Sequence, residues 1–128
     1  MRILLVDDSD RIRSMIRSLL KREIRDLEEI RECTSCEEAL ALYRAVSPDW
    51  VLMDIKLQGM NGLEGTRRLT SEHPGANVVI VTQYDDPAYR DEARNVGARG
   101  YVLKDRLEKL PGILRTEVRQ NSPAHRRG

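Results

Sequence analysis

Ile3-Leu4-Leu5-Val6-Asp7-Asp8 and Trp50-Val51-Leu52-Met53-Asp54 decide the fold, because two short apolar runs each end abruptly in acid. Runs this short and this apolar read as strands buried on both faces, as in a parallel sheet covered by helices. The ends of neighbouring parallel strands lie side by side, so the three acids converge. Two like charges about 4 Å apart repel by roughly 4 kcal/mol at an effective dielectric near 20, so such a cluster needs a cation, a proton or a nearby lysine. The strand ends therefore predict chemistry rather than packing.

Working outward, Ile12, Met15, Ile16, Leu19 and Leu20 recur at the spacing of one helical face, with Ser9 or Asp10 as cap, and predict a helix to about Arg22. Leu27 to Cys33 alternates weakly and carries Glu28, Glu29, Arg31 and Glu32, which suits an edge strand. Ser35 and Glu38 form a capping box for a helix through Ala39, Leu40, Leu42, Tyr43 and Val46 that breaks at Ser47-Pro48. Beyond Asp54 a loop with Gly59, Asn61 and Gly62 leads into a helix through Leu63, Thr66 and Leu69, stopping before His73-Pro74-Gly75. Val78-Val79-Ile80-Val81 is a buried strand ending in Thr82. Asp86-Pro87 then caps a helix that Gly97 closes. Tyr101-Val102-Leu103 is a fifth strand ending in Lys104, and Pro111 opens a last helix with Ile113, Leu114 and Val118 inward. The tail from Gln120 reads as disordered.

Five strand and helix alternations with short links call for right-handed crossovers and an α/β doubly wound, flavodoxin-like fold. The expected five-stranded parallel sheet has order 2-1-3-4-5, with helices on both faces. Strands one and three then flank the switch point where ligands bind in such sheets.

Composition limits the functions open to the chain. Its 128 residues, 40% apolar and 34% charged, suit one globular domain and leave no room for a second. With 22 basic and 21 acidic residues the formal charge is +1, so no global field favours nucleic acid or an anionic membrane. No segment reads as a secretory signal or a membrane span, and a cytoplasmic location is the expectation. Two cysteines, Cys33 and Cys36, provide no disulfide framework.

Taken together, the strand ends offer Asp7, Asp8, Asp54, Thr82 and Lys104. Clustered carboxylates are hard oxygen ligands suited to Mg²⁺, and one aspartate can instead act as a nucleophile. An ammonium can neutralise charge developing on a transferred phosphoryl group, and Thr82 can donate a hydrogen bond. Each residue alone has an ordinary structural explanation, Asp8 as a helix cap above all. Four strands ending on one edge in acid, acid, hydroxyl and ammonium do not.

These stretches, with Gly59-Met60-Asn61-Gly62 and Gly100-Tyr101-Val102-Leu103-Lys104, resemble the response-regulator receiver domains, the CheY-like family of two-component signalling. The resemblance covers residues 1–120 and leaves 121–128 as a disordered tail or the start of a linker. It implies that Asp54 accepts a phosphoryl group from a phosphohistidine on a sensor histidine kinase or phosphotransfer protein. It also implies that Asp7, Asp8, Asp54 and the Lys56 backbone carbonyl hold Mg²⁺ or Mn²⁺. Thr82 and Lys104 would engage the phosphoryl oxygens, and Tyr101 would change rotamer as Thr82 moves, altering the surface of helix four, strand five and helix five. The chain would be a phosphoacceptor rather than an enzyme, with at most slow self-phosphorylation from small donors and self-dephosphorylation. Its further partners would be a downstream protein or a missing output domain, and a second copy in a phosphorylation-dependent dimer.

Three departures qualify the resemblance, one of them Gln58, which stands where the loop often has proline. Lys104 is followed by Asp105, where much of the family has proline and a cis peptide; no cis bond is expected here, since a non-proline one costs about 2.5–4 kcal/mol. The Lys-Asp pair resembles the subgroup joined to a helix-turn-helix output domain. Gln83, bulkier than the usual small residue, and Lys56 are expected to modulate access to Asp54, with the Lys56 side chain more readily solvated than ion-paired.

Rival readings rest on less. Asp8-Ser9-Asp10 is a D-x-D pattern similar to that of haloacid-dehalogenase-type phosphatases, but Arg11-Ile12 departs from it. Cys33-Thr34-Ser35-Cys36 could lower a thiol pKa at a helix N-terminus, although ordinary burial explains both residues. His73 and His125 supply no compact zinc ligand pair, and no G-x-G-x-x-G turn follows the first strand.

Overall fold

The computed structural model describes residues 1–116. Its strands are β1 (Arg2–Val6), β2 (Glu29–Cys33), β3 (Trp50–Met53), β4 (Val78–Thr82) and β5 (Gly100–Leu103). They form one parallel sheet in the order β2-β1-β3-β4-β5, the doubly wound topology expected from the alternating pattern. Between them run α1 (Asp10–Glu23), α2 (Cys36–Val46), α3 (Gly62–Glu72) and α4 (Pro87–Asn95). A 3₁₀ segment (Lys104–Lys109) that the periodicity did not announce follows β5, and α5 (Leu110–Leu114) continues from it with Pro111 in its first turn. Val118, the tail from Gln120 and the 121–128 segment lie outside the described residues.

Successive strand residues point to opposite faces, and the core divides accordingly. Leu4, Val6, Val51, Met53, Val78 and Ile80 pack under α2, α3 and α4. Ile3, Leu5, Trp50, Leu52, Val79, Val81 and Val102 pack against Ile16 and Leu20 of α1 and Leu110 and Leu114 of α5. The central strands are therefore apolar throughout and cannot be shifted in register without exposing one layer.

The caps follow local chemistry. Ser9 rather than Asp8 or Asp10 caps α1, its hydroxyl accepting the Ile12 N–H at 3.2 Å. Ser35 accepts the Glu38 N–H at 3.1 Å, while the Glu38 carboxylate reaches back one residue further than the usual box, to the Thr34 N–H at 3.0 Å. Asp86 caps α4 through Ala88 N–H, and Gly97 follows that helix at φ +103°, where a side chain would be strained. No peptide bond among the described residues is cis, in line with Asp105 in place of proline.

Two expectations need correction. Met15 does not join the inner face of α1: it is 43% exposed, because Ile16 and Leu20 already fill the layer and Met15 sits about 100° around the helix from Ile16. β2 begins at Glu29 rather than Leu27, since β1 itself begins at Arg2 and pairs with Glu29 in register.

Candidate functional site

Register brings the acids together. β1 pairs with β3 so that Val6 lies opposite Met53, and the next residues on each strand are Asp7 and Asp54. The ladder continues past the strand ends through Asp7 N–H to Cys33 C=O (3.1 Å) and Asp54 N–H to Val6 C=O (3.0 Å). Both carboxylates are thereby held on rigid backbone, 1% and 5% exposed, while Asp8 stands in solvent at the rim. One carboxylate oxygen from each of Asp7, Asp8 and Asp54 lies within 4.8 Å of the others.

Lys104 reaches in from the end of β5. Its Nζ donates to Asp54 Oδ2 at 3.0 Å and lies 2.9 Å from Asp7 Oδ2, so one ammonium bridges the two buried carboxylates. Their other oxygens are also engaged: Asp7 Oδ1 accepts the Ser9 N–H and Asp54 Oδ1 the Ile55 N–H, each at 2.8 Å. Burial pushes the Asp54 carboxyl above the usual aspartate range, with the Asp7 charge adding to the shift and Lys104 opposing it. Burial works against the Lys104 ammonium, yet its bonds to Asp7 and Asp54 prevail and hold it above the usual lysine range. Asp54 is thus a carboxylate in an environment that penalises its charge and favours anything that spreads or neutralises it.

Thr82, wholly buried at the end of β4, accepts the Tyr84 N–H on its hydroxyl at 3.3 Å. Tyr84 C=O in turn accepts the Tyr101 hydroxyl at 2.6 Å. The Tyr101 ring is half-buried, packs on the core and lies under the Arg90 guanidinium at 4.5 Å. Core packing alone therefore does not describe Tyr101: the backbone of a single residue, Tyr84, links it to Thr82. Gln83 and Lys56 are exposed and line the same cleft of about 400 Å³ as Asp8, Asp54 and Lys104. Among the described residues Lys56 forms no ion pair over the cleft; its ammonium sits 5.4 Å from the Tyr84 ring centre and 5.6 Å from that of Tyr89, and a hydrogen bond to the Tyr89 side chain holds it above the usual lysine range.

Four residues that shape the site went unassigned from sequence. Arg13 Nη1 donates to the Asp7 carbonyl at 2.6 Å while its Nε donates to Glu32 at 3.0 Å, which ties the β1–α1 corner to β2. Ser9 fixes Asp7 through its backbone N–H, a contact with no residue-type signature. Tyr84 carried a signal only in its place two residues after Thr82. Gly62 lies so close to the Asp54 carbonyl that a Cβ there would stand 1.7 Å from the oxygen, and its N–H donates to Ile55 C=O at 2.8 Å. It was visible as a loop glycine but not as the residue seating Asp54.

The rival chemistries find no site. Asp10, the second acid of the D-x-D pattern, is exposed and paired with Arg13. Burial pushes the thiols of Cys33 and Cys36 up to about 12, the reverse of an activated cysteine. His73 stacks on Tyr43 with ring centres 4.3 Å apart, and His125 lies outside the described residues.

Known proteins share this arrangement of chain. The model of the response regulator receiver domain matches residues 3–115. The chain belongs to that family. It is 40% identical over 103 residues to the response regulator GacA of Pseudomonas viridiflava, covering 80% of this chain and 48% of that protein. It is also 40% identical over 105 residues to the transcriptional regulatory protein LnrK of Bacillus subtilis, covering 81% and 47%. A crystal structure of a LuxR-family two-component response regulator from Aurantimonas sp. SI85-9A1 superimposes with TM-score 0.82 at 31% identity, covering 98% of this chain and 92% of that one. This receiver domain spans about half the length of the curated relatives it matches. No helix among its described residues is long and apolar enough to cross a membrane.

Proposed function

We propose that this receiver domain is a cytoplasmic, phosphorylation-dependent signalling switch in which Asp54 is the phosphoacceptor. The observation that carries the reading is the Lys104 ammonium bridging Asp54 and Asp7 at 3.0 and 2.9 Å beside a third carboxylate. A lone buried ion pair needs one acid; two acids on one cation, with a third at the rim, leave excess negative charge and a ready seat for a divalent ion.

The donor set fits Mg²⁺ or Mn²⁺: three hard carboxylate oxygens within 4.8 Å of one another, with Asp8 at the rim open to solvent. Asp7, Asp8 and Asp54 would hold it with the Lys56 backbone carbonyl, and when bound it neutralises charge on the carboxylates and the incoming phosphoryl group. An Asp54 carboxylate oxygen forms the new bond to phosphorus as the bond to the donor nitrogen breaks, and the histidine of the sensor kinase or phosphotransfer protein leaves with the electron pair. The product is an acyl phosphate. Lys104, freed from Asp54, pairs with one phosphoryl oxygen, and the Thr82 hydroxyl turns to donate to another. Tyr84 N–H then loses its acceptor, the Tyr84 backbone is free to shift with the carbonyl on its far side that anchors the Tyr101 hydroxyl, and Tyr101 changes rotamer at the α4–β5–α5 surface.

The similarity to a transcriptional regulatory protein and to a LuxR-family regulator supports a DNA-binding output domain of the helix-turn-helix type as the downstream element. The receiver domain would then occupy residues 1–120, with 121–128 opening the linker, and phosphorylation would promote pairing with a second copy. Gln83 and Lys56, at the cleft mouth, control how readily water reaches the acyl phosphate.

Acetyl phosphate and Mg²⁺ test the reading. The intact chain should gain one phosphoryl mass that hydroxylamine removes, and Asp54→Asn should gain none. A modified Asp54→Asn chain, or steady phosphomonoester turnover that survives the substitution, rejects Asp54 as acceptor.

A further inference from the structure

The Lys56 side chain is placed unlike that of Lys104. It leaves the chain two residues after Asp54 and lines the same cleft, yet its ammonium lies over Tyr84 and Tyr89 rather than on a carboxylate. The two rings meet edge to face, with centres 5.9 Å apart and planes at 73°. They come from different elements: Tyr84 from the loop after β4, Tyr89 from the first turn of α4. Lys56 therefore clasps the loop after β3 to the helix that begins the output surface. Arg90, the next residue on α4, grips Tyr101 at 4.5 Å and Asp85 at 3.1 Å, so that first turn is held at two neighbouring points.

Resting on the reading of Asp54 as phosphoacceptor, we infer that Lys56 carries a second connection from the phosphoryl site to α4, separate from that through Thr82 and Tyr101. In the unmodified chain its ammonium rests on the rings of Tyr84 and Tyr89. Once a phosphoryl group stands on Asp54, the ammonium leaves the rings for a phosphoryl oxygen, and the first turn of α4 is released. The direction follows from the competing partners. In the unmodified chain the ammonium is held by half-buried rings and a hydrogen bond to the neutral Tyr89 side chain, whereas a phosphoryl oxygen offers a full charge and a charge-assisted hydrogen bond. Lys104, the cation already paired with Asp54, is committed to Asp7 as well, so the added charge leaves room for a second ammonium.

The aromatic rings supply their own reporter, because protons lying over a ring face are shifted upfield. Carbon-13-labelled chain is titrated with Mg²⁺ and beryllofluoride, a phosphoryl mimic, with occupancy of Asp54 followed by fluorine NMR. The Lys56 ε-methylene signal is expected upfield in the free chain, moving by several tenths of a ppm toward the open-solvent position as occupancy rises, with the Tyr89 ring signals moving in step. Tyr89→Leu should remove part of the initial upfield shift. Lys56→Met should abolish the response of Tyr89 at matched occupancy while that of Tyr101 persists, and Lys56→Arg should restore it. A Lys56 signal that stays in place while Thr82 and Lys104 respond overturns the inference and leaves the acceptor reading standing. Absence of fluoride binding, or binding unaffected by Asp54→Asn, overturns that reading and the inference with it.

Discussion

At the residue scale the sign of each pKa displacement fixes what the site does to stability. Asp54 binds its proton more tightly in the folded chain, so stability falls as pH rises from the ordinary aspartate pKa through the raised folded one. Asp54→Asn lacks that penalty; its urea midpoint should exceed that of the native chain at neutral pH, and the gap should close in acid. A midpoint lowered by Asp54→Asn at neutral pH would show that the Lys104 pairing outweighs burial. For Lys104 the folded pKa is also raised, so its contribution is complete below the ordinary lysine value and is lost as pH climbs through the raised one. Only the carboxylate is nucleophilic, so acetyl-phosphate labelling should be lost on the acid side as Asp54 takes up its proton, and added Mg²⁺, which favours the carboxylate, should move that loss to lower pH. At the mouth, replacing Gln83 and Lys56 together by alanine should change the dephosphorylation rate severalfold, and an unchanged rate would remove both from the control of water access.

At the scale of elements, α1 and the β3–α3 junction give opposite lessons. The three-and-four spacing placed Met15 with Ile16, but a helix face about 100° wide holds only part of such a set, and which part depends on the crossing over the sheet. Ile16→Ala should therefore cost about 2–5 kcal/mol and Met15→Ala under about 1 kcal/mol, read from chemical denaturation. Strands β1, β3 and β4 were legible because burial on both faces demands unbroken apolar runs, and strand order with parallel register then delivers Asp7, Asp54 and Lys104 to one edge. The side chain of Lys56, the backbone of Tyr84 and the guanidinium of Arg13 were not legible. Their roles depend on where long side chains land across a fold, and residue type at a given spacing carries no such information. Gly62 lies between these cases. Its Cα approach to the Asp54 carbonyl makes Gly62→Ala expensive, about 1–3 kcal/mol or more, and the strain falls on the residue that carries the acceptor. Labelling of Asp54 should drop further than the loss of folded chain explains; labelling that merely tracks the folded fraction would mean the loop relaxes without moving Asp54.

At the scale of the whole molecule, two apolar layers fix a rigid frame, and at the C-terminal edge of its sheet that frame holds two buried carboxylates against one ammonium. A switch from 1% to 99% active needs roughly 5.5 kcal/mol of differential binding, which a few charge-assisted contacts in a partly desolvated cleft can supply. The same imbalance links the divalent ion to global stability. An ion that binds only the folded chain stabilises it by about 2.7 kcal/mol at a hundred times its Kd, and the gain continues to rise with its logarithm. Three carboxylates cluster around a site where one ammonium pairs two of them, so altering either side of that balance should move the ion-free and ion-bound states in opposite directions. Lys104→Met leaves the acids facing one another: its melting temperature without Mg²⁺ should fall below the native value and its rise on adding Mg²⁺ should be larger. Asp8→Asn eases the repulsion and removes a ligand, so it should melt higher without the ion and respond less. Calorimetric scans across a Mg²⁺ series separate these outcomes, because a general salt effect would shift all three chains alike, whereas binding between these acids requires the two variants to diverge on either side of the native chain.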